Sequence, residues 1–438
     1  MKMLNIIMAA VFVIASVCMT VPAFAVTVSG GFAGGVGKIG GAGPTGGSGN
    51  ALASSSGAGG VTAAATQSAA SASGLQALSG RDDSASGNKP RQYGTFITMT
   101  GNLYNKSNMA TRDAILSNPN VTGAQMTLKW IDVQPTSSTQ YDWSVVDNFL
   151  TNYCPNGSGK SCAFKFTAIG AGAEDGTTGD LTPPWLFNDP AVAYIGGINT
   201  PIGYAPRMPV YWSPAYLNHL RNFINAFGER YGKDSRIAFM RIGGFQNGTN
   251  EPTFYHPFSA YLADQIRAAG MDLTVDSKGT GVKLYANSPY TTAVLNIAAM
   301  WVAAMDRNKL VATIHFNDDP NSFEHAMNAG MVAQGIDMVN TGLNEGDKAD
   351  SRTKFAYWFQ STQKAVRVGW GAITNLGSKN SGLTGMDLRM ETIKQGTGLA
   401  SDPQYSPMAH ISYLIVGPEF ATTYAAALAY AKPNMELY

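Results

Sequence analysis

From Ser213 to Gly243 the chain reads SPAYLNHLRNFINAFGERYGKDSRIAFMRIG, and this stretch decides the fold class. Ser213 and Pro214 offer an N-cap hydroxyl and a first-turn proline, whose missing N–H is no loss where no intrahelical acceptor exists. Tyr216, Leu217, Leu220, Phe223, Ile224 and Phe227 then recur on one helical face, and Gly232 closes the segment. Shortly afterwards, residues 237–243 form an apolar run of strand length. A helix feeding a short buried strand is the repeating unit of an α/β protein.

The same rhythm extends in both directions. Strands are expected at 95–98, 124–130, 163–169, 312–316, 336–341, 365–372 and 411–416, which with 237–243 makes eight. Residues 282–286 read as a further, inserted strand. Ser144 with Asp147 resembles a capping box ahead of Val145, Val146, Phe149 and Leu150. Alanine-rich helices are expected over 293–305 and 421–431. Eight strands with intervening helices predict a (β/α)8 barrel, a TIM barrel with insertions. A doubly wound sheet would instead place G-x-G-x-x-G or a P-loop after its first strand, and neither pattern occurs in this part of the chain.

The barrel occupies 91–438. Before it, Lys2, an apolar run from Leu4 to Val17 and the triplet Ala23-Phe24-Ala25 read as a signal peptide over 1–25, cleaved after Ala25. Residues 26–90 are dominated by Gly, Ala, Ser and Thr with one aromatic, Phe32, a low-complexity flexible segment too poor in apolar surface to offset the entropy of ordering. The expected location is therefore secreted, periplasmic or at the cell surface. Cys154 and Cys162, either side of a Pro-Asn-Gly-Ser-Gly-Lys-Ser loop, suit a disulfide in that compartment.

Charge narrows the partners. Thirty basic residues face 29 acidic ones, a net charge of +1, which argues against nucleic acid. No segment after the leader has the length of a membrane span. No metal-ligand spacing and no cofactor motif is legible, so neither is expected.

In a (β/α)8 barrel the chemistry sits at the C-terminal strand ends. The second predicted strand ends in Lys129-Trp130-Ile131-Asp132-Val133-Gln134-Pro135, followed by Tyr141-Asp142-Trp143. The third leads to Thr182-Pro183-Pro184-Trp185-Leu186, and the fourth to Arg241-Ile242-Gly243-Gly244-Phe245 and then Asn250-Glu251-Pro252. Over about 118–252 these motifs resemble the large clan of (β/α)8 glycoside hydrolases that includes the β-galactosidases. The resemblance implies cleavage of O-glycosidic bonds, with the acid/base on Glu251 and Asn250 beside it.

Such cleavage needs two carboxyl groups, one to protonate the leaving oxygen and one to attack or to activate water. The clan's nucleophile ends the seventh strand. Counted from 95–98 the seventh is 365–372, which ends without a carboxylate. Counting 282–286 as the fifth instead makes 336–341 the seventh and puts Glu345 in the nucleophile position. Asp318, at the end of the neighbouring strand, is a candidate base for an inverting scheme. His315 is placed to meet a sugar hydroxyl, and Trp130, Trp185 and Trp370 to offer ring faces to sugar. Trp143 and Trp212 read as packing aromatics. The weakly charged, aromatic-bearing domain suits a neutral oligo- or polysaccharide. A non-catalytic barrel displayed as a carbohydrate-binding or structural surface protein is the alternative.

Overall fold

A computed structural model describes residues 94–99, 103, 105–168, 181–200, 203–245, 260–270, 274–275, 282–283, 288–314, 323–341, 367–372, 382–397 and 411–435. Within them, eight parallel strands close into a barrel. In chain order they are β1 (Gly94–Met99), β2 (Gly123–Lys129), β3 (Ser161–Thr167), β6 (Ile237–Arg241), β9 (Leu310–Ile314), β10 (Asp337–Thr341), β11 (Val368–Ala372) and β12 (Tyr413–Val416). β12 pairs with β1 to complete the ring. Each barrel strand overlaps one of the eight expected from sequence. This is a TIM-barrel α/β fold.

Two antiparallel hairpins stand outside the ring: β4 (Tyr194–Thr200) with β5 (Gly203–Pro209), and β7 (Thr274–Val275) with β8 (Val282–Lys283). The second hairpin settles the strand count. Val282–Lys283 belongs to an insertion, so β9 is the fifth barrel strand, β10 the sixth and β11 the seventh. Glu345, downstream of β10, therefore follows the sixth strand, and the alternative count that gave it the nucleophile position is corrected.

Helices cover the ring because parallel strands bury both faces. The Pro214–Tyr231 helix begins as its sequence dictates, the Ser213 hydroxyl accepting from the Tyr216 N–H at 3.4 Å. The helix Ser144–Tyr153 does not use the expected capping box. Ser144 is already helical and its N–H donates to the Asp142 carboxylate, while Asp147 accepts from Arg230 and from the Tyr231 hydroxyl. The helix Pro289–Ala304 lies across Pro214–Tyr231, and Gly228 is required there because a Cβ would fall on the Ala304 carbonyl.

Register divides the strand side chains into two sets. Phe96, Ala163, Phe239, Val311, Val339, Tyr413 and Ile415 line the lumen, and a larger apolar set packs between strands and helices. At the N-terminal end the lumen is filled. Phe239 meets Tyr413 edge-on at 5.3 Å and Phe96 at 4.8 Å, and the Tyr413 hydroxyl donates to buried Asp337 at 2.7 Å. Gly369 makes room for this, since a Cβ on it would come within 2.6 Å of the Tyr413 Cβ.

Cys154 and Cys162 are joined, tying the end of the Ser144–Tyr153 helix to β3. The bridge closes a loop with a sequence separation of 8. Chain-entropy arithmetic for so short a loop gives about 2.5 kcal/mol. Urea unfolding of the Cys154→Ser/Cys162→Ser variant should show a loss of that order; an unchanged midpoint would mean the packing around β3 already constrains the loop. No helix among the described residues is long and apolar enough to cross a membrane.

Candidate functional site

The C-terminal half of the lumen differs from the filled half. Cα partners in parallel register share a face, so the lumen residues Ala163 and Val311 identify their partners as inward-facing too. Gln125, Lys165, Arg241 and Thr313 thus join the interior, with Thr98 across from Gln125. Gln125 Nε2 donates to Thr98 Oγ1 at 3.3 Å, and Arg241 Nη2 donates to Thr313 Oγ1 at 2.8 Å. Lys165 and Arg241 are both 1% exposed. Above them Thr127 and Lys129 are partly exposed, so the mouth opens at this end.

These polar residues were not singled out in the sequence, yet a signal was there. Lys165 interrupts an otherwise apolar strand, S-C-A-F-K-F-T, and Arg241 ends I-A-F-M-R. A cation inside a strand buried on both faces must point somewhere polar, and in a closed barrel that place is the lumen.

The end of β6 is held by three side chains. Trp301 Nε1 donates to the Gly243 carbonyl at 3.2 Å, the Tyr216 hydroxyl to the Gly244 carbonyl at 2.6 Å, and the Tyr290 hydroxyl to the Phe245 carbonyl at 3.5 Å. Burial pushes the Tyr216 phenol well above its ordinary range, so it stays a donor. Gly244 sits at φ +108° over Leu220, a left-handed position where a side chain is strained. Consecutive carbonyls caught in this way fix the backbone just beyond β6.

The β2 loop is organised by Gln134, which is 1% exposed. Its side-chain oxygen accepts from Trp130 Nε1 at 2.6 Å, its amide donates to the Ser138 carbonyl at 3.0 Å, and its own carbonyl accepts from Trp185 Nε1 at 2.8 Å. The β2 and β3 loops are thereby stitched together, with the two indoles edge to face at 6.0 Å. Trp130 is wholly buried against Tyr216 and Phe223. It offers no ring face to a sugar, which corrects the role expected from its sequence position: the strand end turns it outward, into the helix layer.

Trp370 is corrected for the same reason. It shares its register level with Leu414 on the helix side of the sheet and is 2% exposed, whereas its neighbour Gly369 faces the lumen. Trp185 remains partly exposed. Trp143 and Trp212 pack as expected: Trp143 stacks on Tyr141 at 5.2 Å and touches Phe227 and Tyr231, and Trp212 Nε1 donates to the Ala269 carbonyl at 2.9 Å. Asn250, Glu251, His315, Asp318 and Glu345 lie outside the described residues.

The Trp185 segment is also fastened to the Pro214–Tyr231 helix. Asp189 Oδ2 lies 2.8 Å from His219 Nε2, and Trp185 meets the His219 ring edge-on at 5.3 Å. The hydrogen bond from His219, with that from the Ala191 N–H, holds the Asp189 carboxyl below the usual carboxylate range. Its stabilisation is therefore present above that range and lost as pH falls through the lowered value. A third of the side chain is exposed, which keeps the effect below about 1 kcal/mol. Asp189→Asn should unfold less steeply than the parent as pH is lowered from about 7 to 3; identical pH profiles would show that the contact contributes nothing.

No family model matches the chain, and no curated protein matches it. Among solved structures, the catalytic domain of β-amylase from Paenibacillus polymyxa aligns over 79% of this chain and 100% of its own, with a TM-score of 0.51 at 12% identity. A β-galactosidase from the psychrophilic Marinomonas ef1 aligns over 78% of this chain and 58% of its own, with a TM-score of 0.43 at 13% identity. A structure of GH5_18 from Streptomyces cattleya with GlcNAc gives 75%, 70%, 0.41 and 10% for the same four quantities. At such identities what the β-amylase domain shares with this chain is the closed (β/α)8 fold, with the polar lumen opening at the end where that fold places its sites.

Proposed function

We propose that the chain is a glycoside hydrolase that cleaves O-glycosidic bonds of a neutral oligo- or polysaccharide by a two-carboxylate mechanism. The observation that carries this reading is the fourth-strand end. Three buried donors fix the carbonyls of Gly243, Gly244 and Phe245 beside a polar lumen, and the chain then supplies Asn250-Glu251. Glu251 is the acid/base on this reading, and Asp318 or Glu345 supplies the second carboxylate. Trp185, partly exposed and pinned by its indole N–H, is the aromatic left to meet a sugar ring. The solved structure that shares this fold carries the name β-amylase, which favours glycan chemistry.

Export belongs to the same proposal. Residues 1–25 act as a signal peptide and 26–90 as a tether, so intact-mass analysis of exported protein should find its N-terminus at Val26. A mass that retains residues 1–25 would sink the leader reading.

A second reading is favoured by one observation: β11, the seventh strand, is Val-Gly-Trp-Gly-Ala and brings no carboxylate to its end. On that reading the barrel binds glycan without cutting it. A screen of the purified barrel on aryl β-glycosides and on plant and microbial polysaccharides separates the two. Turnover of the polysaccharides lost in Glu251→Gln supports the hydrolase; binding without turnover on any substrate, unchanged by Glu251→Gln, leaves only the binding protein.

A further inference from the structure

Between β3 and the Pro214–Tyr231 helix the chain reads T-P-P-W-L-F-N-D-P-A-V-A-Y-I from Thr182 to Ile195 and runs on into the β4–β5 hairpin. Both ends of this connection belong to the C-terminal side of the ring, where β3 stops and the returning helix starts. Strand alternation gives the hairpin two unlike faces. Ile195 and its partner Met208 are each 1% exposed and face the protein. The opposite face carries Tyr194 on β4 and, diagonally across, Arg207 on β5, whose own partner Gly196 brings no side chain. Tyr194 is 50% exposed.

Phe187 completes the cluster. Its ring meets Tyr194 edge-on at 5.7 Å, and the Arg207 guanidinium stands over it, 4.3 Å from its centroid and 5.9 Å from that of Tyr194. Among the described residues no carboxylate or carbonyl pairs with this guanidinium, whose contacts are the two rings. The support beneath is fixed. Trp185 Nε1 and the Asp189–His219 contact fasten the turn on either side of Phe187, and the Val210 N–H donates to the Ala193 carbonyl at 2.8 Å at the hairpin base. Groups held in place before binding lose little entropy on binding.

Size and chemistry decide what this face accepts. Among the described residues the other exposed large apolar side chain is Met386, on the separate helix Gly385–Thr397, so no wide apolar patch surrounds Tyr194. A protein partner needs about 800 Å² on each side. One ring beside one guanidinium instead suits a single sugar unit, whose C–H face lies on the ring while its hydroxyls accept from the fork of N–H groups. We propose that Tyr194 and Arg207, seated on Phe187, form an accessory platform that holds a unit of a neutral polysaccharide outside the lumen. This rests on the glycan reading, and the Trp185 turn joins the platform to the aromatic assigned to the main site.

Electrophoresis of the protein through native gels containing galactomannan, mixed-linkage β-glucan or soluble starch tests this. At least one of the three should retard the parent, and Tyr194→Ala should weaken the apparent affinity about tenfold. Tyr194→Phe keeps the ring and should run close to the parent, whereas Arg207→Met should lose part of the affinity. Tyr194→Ala removes a half-exposed side chain and should unfold at the parent's urea midpoint. A parent that no gel retards, or a Tyr194→Ala variant held as strongly as the parent, would overturn the platform. Retardation seen in polygalacturonate alone and abolished by about 0.5 M salt would overturn it as mere charge attraction. So would a concentration-dependent dimer, seen by light scattering, that Tyr194→Ala dissolves, since the face would then join two copies of the chain. Hydrolysis of a single-sugar aryl glycoside should be equal in Tyr194→Ala and the parent. Retardation without turnover on any substrate would sink cleavage and leave the platform; turnover with Tyr194→Ala unimpaired in the gels would sink the platform and leave cleavage.

Discussion

Trp130→Ala is expected to destabilise the barrel by about 3–5 kcal/mol, the range for truncating a large aromatic in a packed core. The indole is wholly buried and contacts Trp185, Tyr216 and Phe223. Removing it also strips the Gln134 side-chain oxygen of the N–H that approaches at 2.6 Å, within a residue that is itself 1% exposed. A buried acceptor deprived of its donor adds about 1–3 kcal/mol where water cannot enter. Trp185→Ala should cost less, because that ring is partly exposed and its N–H serves only a loop carbonyl. Urea unfolding of both variants, with glycan affinity measured on the folded fraction, tests the assignment. Near-parental stability of Trp130→Ala with lost affinity would return Trp130 to the sugar site.

These two tryptophans show what a sequence can convey here. Trp130 ends a predicted strand and Trp185 lies in a loop beyond one, and position alone made each a candidate for the pocket. The deciding factor is which way the chain turns after β2: the Trp130–Val133 helical turn carries the first indole outward, into a nest made by the Pro214–Tyr231 helix. That direction is tertiary, and no local pattern holds it. The strands themselves were legible because barrel strands are apolar on both faces and recur at helix-length intervals. Residues 282–286 read as an inserted strand but could also be counted as the fifth; the pairing of Val282–Lys283 with Thr274–Val275, which decides between the two, has no signal in the sequence. Lys165 was in plain view between Phe164 and Phe166. Alternation makes such a lysine look solvent-facing, and only closure of the sheet turns the polar position into the lumen.

On the two-carboxylate reading, Glu251→Gln is expected to lower kcat about 10²–10⁴-fold, the contribution of a positioned general acid. The amide keeps the shape of the side chain and can still donate a hydrogen bond, so KM should move little. A large loss in kcat with KM held marks an interaction made only in the transition state. The sign of the pH response follows from the role. A proton donor must be protonated to act, so activity in the parent falls as pH rises through its pKa, and that alkaline limb should vanish in Glu251→Gln. The loss should also depend on the leaving group. An aryl glycoside whose phenol departs readily needs little protonation and should be cut nearly as well by the variant, whereas an alkyl glycoside or a polysaccharide should hardly be cut. A loss of the same size for every leaving group would instead mark Glu251 as the nucleophile.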